Sequence, residues 1–116
     1  MTSTVDVVVL EQLADDLGDD VVHAILSAFL SAAEVRRDAL TAAMSPAGIA
    51  LRDAAHALTS ASVIVGAERL GELCWNCETS AGAGDDGSAR ADAQLAVMEL
   101  DSVVDELART RWVTDS

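Results

Sequence analysis

Hydrophobic positions recur along the chain at intervals of three and four, the repeat of one helix face. Proline occurs once, at position 46, and glycines gather at a few points, so the punctuation of a many-stranded sheet is missing. From Asp6 the stretch VVVLEQLADDLG sets Val9, Leu10, Leu13 and Leu17 on one stripe and ends at Gly18, placed as a C-terminal cap. This predicts a short first helix. VDVVVL alone would also suit a strand, but no second run of that character exists to pair with it. A long second helix is expected after Asp19 or Asp20, either of which can cap its N-terminus. Its stripe holds Val22, Ile25, Leu26, Phe29, Ala33, Leu40 and Met44, where it ends. Ser45 and Pro46 match a capping serine with proline at the first helical position, so a third helix should run to about Val65 and stop at Gly66. A fourth, from Ala67 to about Ser80, puts Leu70, Leu73, Cys74 and Cys77 together, and AGAGDDGS follows as a flexible connection. The fifth, from Ser88 to about Trp112, carries Leu95, Ala96, Leu100, Val103, Val104 and Leu107. The fold class expected is all-α: an antiparallel up-and-down four-helix bundle, one end of it capped by the short additional N-terminal helix.

Composition narrows the functions open to such a bundle. A length of 116 residues suits one domain over 1–116, and 51% apolar residues suit a packed core rather than disorder. The longest apolar run falls well short of a membrane span, and MTSTVDVVVL lacks the basic region of a secretory signal, so a cytoplasmic protein is expected. Twenty acidic residues against seven arginines and no lysine give a net charge of −13. That charge repels both nucleic acid and anionic membrane surfaces. Phe29, Trp75 and Trp112 are too few for a base-stacking platform. No ATP-binding or kinase motif is present, and a monomer is the expected state.

Chemistry concentrates on the third helix. At about 100° per residue, Leu51, Ala54, Ala55, Leu58, Ser62 and Val65 fall in one core-facing arc. His56 lies roughly 120 to 140° from the centre of that arc, with Arg52, Thr59, Ser60 and Val63 around it. An exposed imidazole among small side chains is either an idle surface residue or a reactive one, and spacing alone leaves both open.

The segment LRDAAHALTSASVIVGAERLGELCWNCE resembles the histidine phosphotransfer family, whose signature is similar to A-H-x-L-K-G followed by a glycine and a leucine-rich helix. Ala55, His56 and Leu58 match that signature; Gly66, Leu70 and Cys74 stand at the family's intervals. LADDLGDDVVHAILSAFL is similar to the family's second helix, with its leucine-phenylalanine stripe ending in Phe29. The resemblance implies a stand-alone histidine-containing phosphotransfer protein of a two-component phosphorelay. His56 would be the phosphoacceptor, taking a phosphoryl group from one receiver aspartate and giving it to another. It implies a phosphoryl carrier rather than a true enzyme. The module itself would need no cofactor, since magnesium belongs to the partner receiver. Response regulator receivers would be its partners, with a hybrid histidine kinase as a further candidate.

Phosphoryl transfer of this kind depends on positioning and on stabilising charge on the phosphoryl oxygens. A neutral imidazole nitrogen needs no dedicated base, only access and a clear surface for docking. The family's usual lysine is Thr59 here, and its usual glycine is Ser60. Losing the lysine removes a cation beside the phosphoryl group. Arg52, one turn before His56, either replaces it through a bidentate guanidinium or is a solvated charge. Ser60 either narrows access or donates to a phosphoryl oxygen. These departures also allow an alternative, a phosphorylation-independent docking module that binds a receiver or histidine kinase without carrying phosphate.

The remaining features point to structure. Cys74 and Cys77 have redox or metal spacing, but they fall mid-helix on the core stripe, and no closed zinc site follows from two thiols, so no metal site is expected. His23 lacks partner ligands and reads as structural or idle. Asp85, Asp86 and Gly87 lack the alternating carboxylates of a calcium loop and read as a solvated turn. Trp75 and Arg69 are candidates for a partner surface.

Overall fold

The computed structural model describes residues 4–114; residues 1–3 and 115–116, which the single-domain expectation over 1–116 includes, lie outside it. The described residues form α1 (Val7–Leu17), α2 (Asp19–Ala43), α3 (Gly48–Ile64), α4 (Glu68–Gly82), α5 (Asp86–Ala108) and the single turn α6 (Arg111–Thr114), with no strand. The valine run is helical from Val7, because the Asp6 carboxylate accepts the Val8 amide at 3.0 Å and satisfies one of the orphan donors of the first turn.

The long helices bury stripes whose steps alternate between four and three. Leu51, Ala55, Leu58 and Ser62 form the stripe of α3; Ala89, Ala93, Ala96, Leu100, Val103 and Leu107 form that of α5. Such a repeat keeps one seam facing a nearly parallel or antiparallel neighbour. Accordingly α3 packs on α4, α4 on α5, α5 on α2 and α2 on α3, which closes a helical bundle around a single core. The links 44–47, 65–67 and 83–85 have room only for a reversal, so consecutive helices run antiparallel. Leu26, Leu58, Leu70 and Leu100 are all buried in that core. Burial of each stabilises the fold by roughly 1.5–3 kcal/mol.

The N-terminal segment closes one end, as its short helix led us to expect. The Asp6 amide donates to the Gly66 carbonyl at 2.8 Å, in the α3–α4 link. The amides of Thr4 and Val5 donate to the Glu106 carboxylate on α5 at 3.2 and 3.3 Å. Gly66 has φ +74°, and a Cβ there would stand 2.9 Å from the Asp6 carbonyl oxygen, so this crossing requires glycine.

Several boundaries differ from those expected. Neither Asp19 nor Asp20 caps α2: Gly18 holds the N-cap position, and both aspartates occupy the first turn, where their charge complements the helix dipole. Pro46 does not open α3. Ala47 follows it at φ +73° and donates its amide back to the Ala43 carbonyl at 3.0 Å, so residues 44–47 form the closing turn of α2 and helical geometry resumes at Gly48. AGAGDDGS is mostly helical rather than flexible, since α4 continues to Gly82 and Asp85 caps α5 by accepting the Ser88 amide at 3.2 Å. α5 does not reach Trp112; the Thr110 amide and hydroxyl both turn back to the Leu107 carbonyl, and Trp112 belongs to α6. Leu17 and Leu95 are exposed rather than on their core stripes, Leu95 because it sits about 100° around the wheel from Ala96, which takes the buried position. No described helix is long and apolar enough to cross a membrane.

Candidate functional site

α3 and α4 form an antiparallel hairpin, and its register sets the site. Residues at equal or nearly equal distances from Ala67 face one another. A Cβ added at Gly71 would lie 3.7 Å from the Ser62 Cβ, and one at Gly82 would lie 3.6 Å from the Arg52 Cδ. The same register brings His56, eleven residues before Ala67, to Glu78, eleven residues after it.

The side chain of His56 is 69% exposed, and its Nδ1 lies 3.1 Å from Glu78 Oε1. Glu78 is largely buried, its side chain only 15% exposed. Its second oxygen, Oε2, accepts the Thr59 hydroxyl at 2.8 Å. The Ala55 carbonyl, 3.0 Å from the same hydroxyl, is the competing acceptor, and the charged oxygen is the stronger of the two. An ionised carboxylate only accepts, so Nδ1 must carry a hydrogen wherever this contact is made. In the neutral ring Nε2 then holds the free lone pair. On an exposed ring, that lone pair is open to nucleophilic attack on a phosphorus atom.

The other expected neighbours divide. Thr59 joins His56 through Glu78. Ser60 and Val63 are exposed on the same helix, Val63 one turn beyond Thr59. Arg52 is not drawn to the imidazole: its guanidinium pairs with Asp53 at 3.5 Å, and its stem lies toward Gly82. Glu78 is the residue the sequence reading missed. Two signals mark it, its mirror position to His56 about the α3–α4 link and its place beside the buried stripe of Cys74, Cys77 and Ala81.

Residues 24–110 match the model of the Hpt domain family. The chain belongs to that family. The matched span runs from within α2 to the end of α5, and includes His56, Thr59 and Glu78, while α1 lies outside it. No curated protein and no solved structure matches the chain. In this Hpt domain the position three residues after the histidine, where the family's lysine is usual, is used by Thr59 to hold Glu78 in place.

The two cysteines sit behind the site in the core. Burial pushes the Cys74 thiol up to about 12, aided by the nearby Cys77 and Glu78. Cys77 rises to about 11, again chiefly through burial, with Asp92 and Glu78 adding to it. Both are therefore neutral packing groups at ordinary pH. Among the described residues no three His, Cys, Asp or Glu side chains gather as a metal site. His23 is structural: its Nδ1 lies 2.7 Å from the Trp112 carbonyl, tying α2 to α6.

Proposed function

We propose that this Hpt domain is a phosphoryl carrier of a two-component phosphorelay, with His56 as its phosphoacceptor. The observation that carries the reading is the contact between Glu78 and Nδ1 of an exposed histidine, which leaves Nε2 as the nucleophile. The donor is the acyl phosphate on a receiver aspartate. As the Nε2–phosphorus bond forms, the aspartyl oxygen–phosphorus bond breaks, the carboxylate leaves with its electron pair, and Nδ1–H stays with Glu78. The reverse sequence passes the group to a second receiver. Charge on the phosphoryl oxygens is met by magnesium and a lysine on the receiver, so the module supplies access, orientation and a docking surface. A cytoplasmic location would bring it to such partners.

The test is incubation of the whole chain with a phosphorylated receiver, followed by acid and base treatment of the labelled product. Acid-labile, base-stable label on the wild type, lost in His56→Gln, is expected. Absence of label on the wild type, or undiminished label on His56→Gln, overturns the reading. Binding to the receiver without any transfer would identify a docking module instead.

A further inference from the structure

A phosphoryl carrier spends part of its cycle between partners, with the group on its histidine and no receiver docked. In that interval the receiver's magnesium and lysine are absent, and the charge on the phosphoryl oxygens falls to this chain alone. A phosphoryl group carries about −1.5 to −2 charges near neutral pH and three strong acceptor oxygens. The chain already has a net charge of −13; Glu78 touches the His56 ring, and Asp53 stands three residues before it on α3.

The available cations are seven arginines, and most are engaged elsewhere. Arg37 pairs with Asp101 at 2.9 Å, Arg109 with Asp105 at 2.9 Å, and Arg111 with Glu11 and Asp19 at 3.0 and 3.1 Å. Arg69 is directed to Glu99, 3.9 Å away. Arg36 lines a groove with Phe29 and Ala61 on the α2 side of α3, whereas Glu78 turns the His56 ring toward α4. Arg90 is on α5, diagonally across the bundle from α3.

Arg52 differs from all of these. It stands one turn before His56 on α3, and residues so spaced have Cβ atoms about 5–6 Å apart. The Cα–Cβ bonds of a helix tilt toward its N-terminus, so the base of the His56 ring leans toward the turn that carries Arg52 rather than the one that carries Ser60. The Arg52 guanidinium is held only by Asp53, through a single contact of 3.5 Å between side chains 48% and 67% exposed. Adjacent residues of a helix do not face one another, and exposed pairs of this kind stabilise little. Opposite Arg52, Gly82 has no side chain to confine the arginine stem. A phosphoryl group is the stronger partner, because it accepts two parallel N–H bonds from one guanidinium fork.

We propose that Arg52 is the phosphoryl-binding cation of this chain: when His56 carries its phosphoryl group, the Arg52 guanidinium leaves Asp53 and clasps two phosphoryl oxygens. The proposal rests on His56 being the phosphoacceptor. The exchange makes and breaks no covalent bond; it holds the charge until a receiver brings its own cations. Arg52 thereby takes over, from the turn before the histidine, the charge that a lysine at the position of Thr59 would supply from the turn after it.

The clasp is read by phosphorus-31 titration of the intact chain after labelling with phosphoramidate, from about pH 5 to about pH 8, which brackets the second ionisation of a phosphoryl group at about pH 6. A guanidinium in contact favours the dianion and lowers that midpoint. Arg52→Gln should raise the midpoint by about half a pH unit, roughly a threefold change in proton affinity. Arg52→Lys, which keeps the charge but not the fork, should raise it by less. Arg109→Gln makes the same change of charge at the end of α5 remote from Gly82, and should leave the midpoint in place. The Nε–H resonance of Arg52, assigned by its loss in Arg52→Gln, should move on labelling. A midpoint unmoved in Arg52→Gln, one that moves equally in Arg109→Gln, one that moves in Arg36→Gln instead, or an unmoved Arg52 resonance overturns the clasp. With label on His56, any of these results overturns the clasp alone. A chain that takes no label overturns the phosphoacceptor reading and the clasp with it.

Discussion

Glu78 Oε1 stands 3.1 Å from Nδ1 of His56, although 22 residues separate the two along the chain. The pair is asymmetric: the imidazole faces water while the carboxylate is largely shielded. Partial shielding strengthens the hydrogen bond relative to a fully solvated one. Glu78→Gln should therefore slow phosphoryl acceptance by about tenfold, corresponding to about 1.4 kcal/mol of lost charge-assisted bonding. Nitrogen-15 shifts of the His56 ring check the cause, because the Nδ1–H fraction should fall with the rate. A slower rate with an unchanged tautomer would place the role of Glu78 elsewhere.

Thr59 acts on the histidine through that carboxylate. Thr59→Val keeps the shape and removes the hydroxyl that donates to Oε2 at 2.8 Å. Acceptance should slow by less than in Glu78→Gln. In the double variant the two effects should not add, since the hydroxyl has no further purpose once the carboxylate is gone. Additive losses in single-turnover rates would show that Thr59 acts independently of Glu78.

The helical class, the core stripe of α3, the Ala96, Leu100, Val103 and Leu107 part of that of α5 and the exposure of His56 were legible, because amphipathic spacing records burial directly. Leu58 and Ser62 lie where the wheel puts them. What the wheel does not carry is the pairing of two wheels. Glu78 became visible only with the register about Ala67, and Arg52, for which the wheel left a phosphate contact and a solvated charge both open, pairs with Asp53 at 3.5 Å. Helix ends misled for a related reason. Ser45 and Pro46 have the composition of an N-terminus, yet the positive φ of Ala47, set by the chain reversal between α2 and α3, moved the start to Gly48.

The buried thiols supply a test of the core. With Cys74 pushed up to about 12 and Cys77 to about 11, neither forms appreciable thiolate in the native protein near pH 8. Iodoacetamide should alkylate them slowly at that pH and quickly in urea, where unfolded thiols titrate near about 8.5. The folded values are the higher ones, so the native state holds more protons and stability falls with rising pH between about 9 and 12. Urea midpoints that stay level across that window would contradict the burial.

Gly66 and Gly84 both have positive φ, at +74° and +81°, but differ in their surroundings. A Cβ at Gly84 meets nothing within 4 Å, whereas one at Gly66 meets the Asp6 carbonyl oxygen at 2.9 Å. Gly84→Ala should cost about 1 kcal/mol from backbone strain alone. Gly66→Ala should cost about 2–3 kcal/mol, because the N-terminal crossing must shift as well. Urea denaturation of the two variants measures the difference, and equal losses would mean that the crossing yields freely.

Asp19 ties the C-terminal turn to the start of α2. Its carboxylate accepts the Trp112 indole N–H at 2.9 Å and pairs with Arg111 at 3.1 Å, while the Arg111 guanidinium lies over the Trp112 ring, 4.2 Å from its centroid. The indole hydrogen bond first, and Arg111 second, hold the Asp19 carboxyl below the usual carboxylate range. The unfolded chain then binds the proton more readily, so the contribution of Asp19 to stability is complete above the ordinary value of about 3.9 and is lost as pH falls through the folded one. On acidification below about pH 4 the Trp112 indole resonance should move while that of Trp75 does not. Asp19→Asn removes the titrating charge and should abolish that movement. A Trp112 signal that titrates identically in Asp19→Asn would assign the acid response of α6 to another carboxylate, with Glu11, which also pairs with Arg111 at 3.0 Å, next in line.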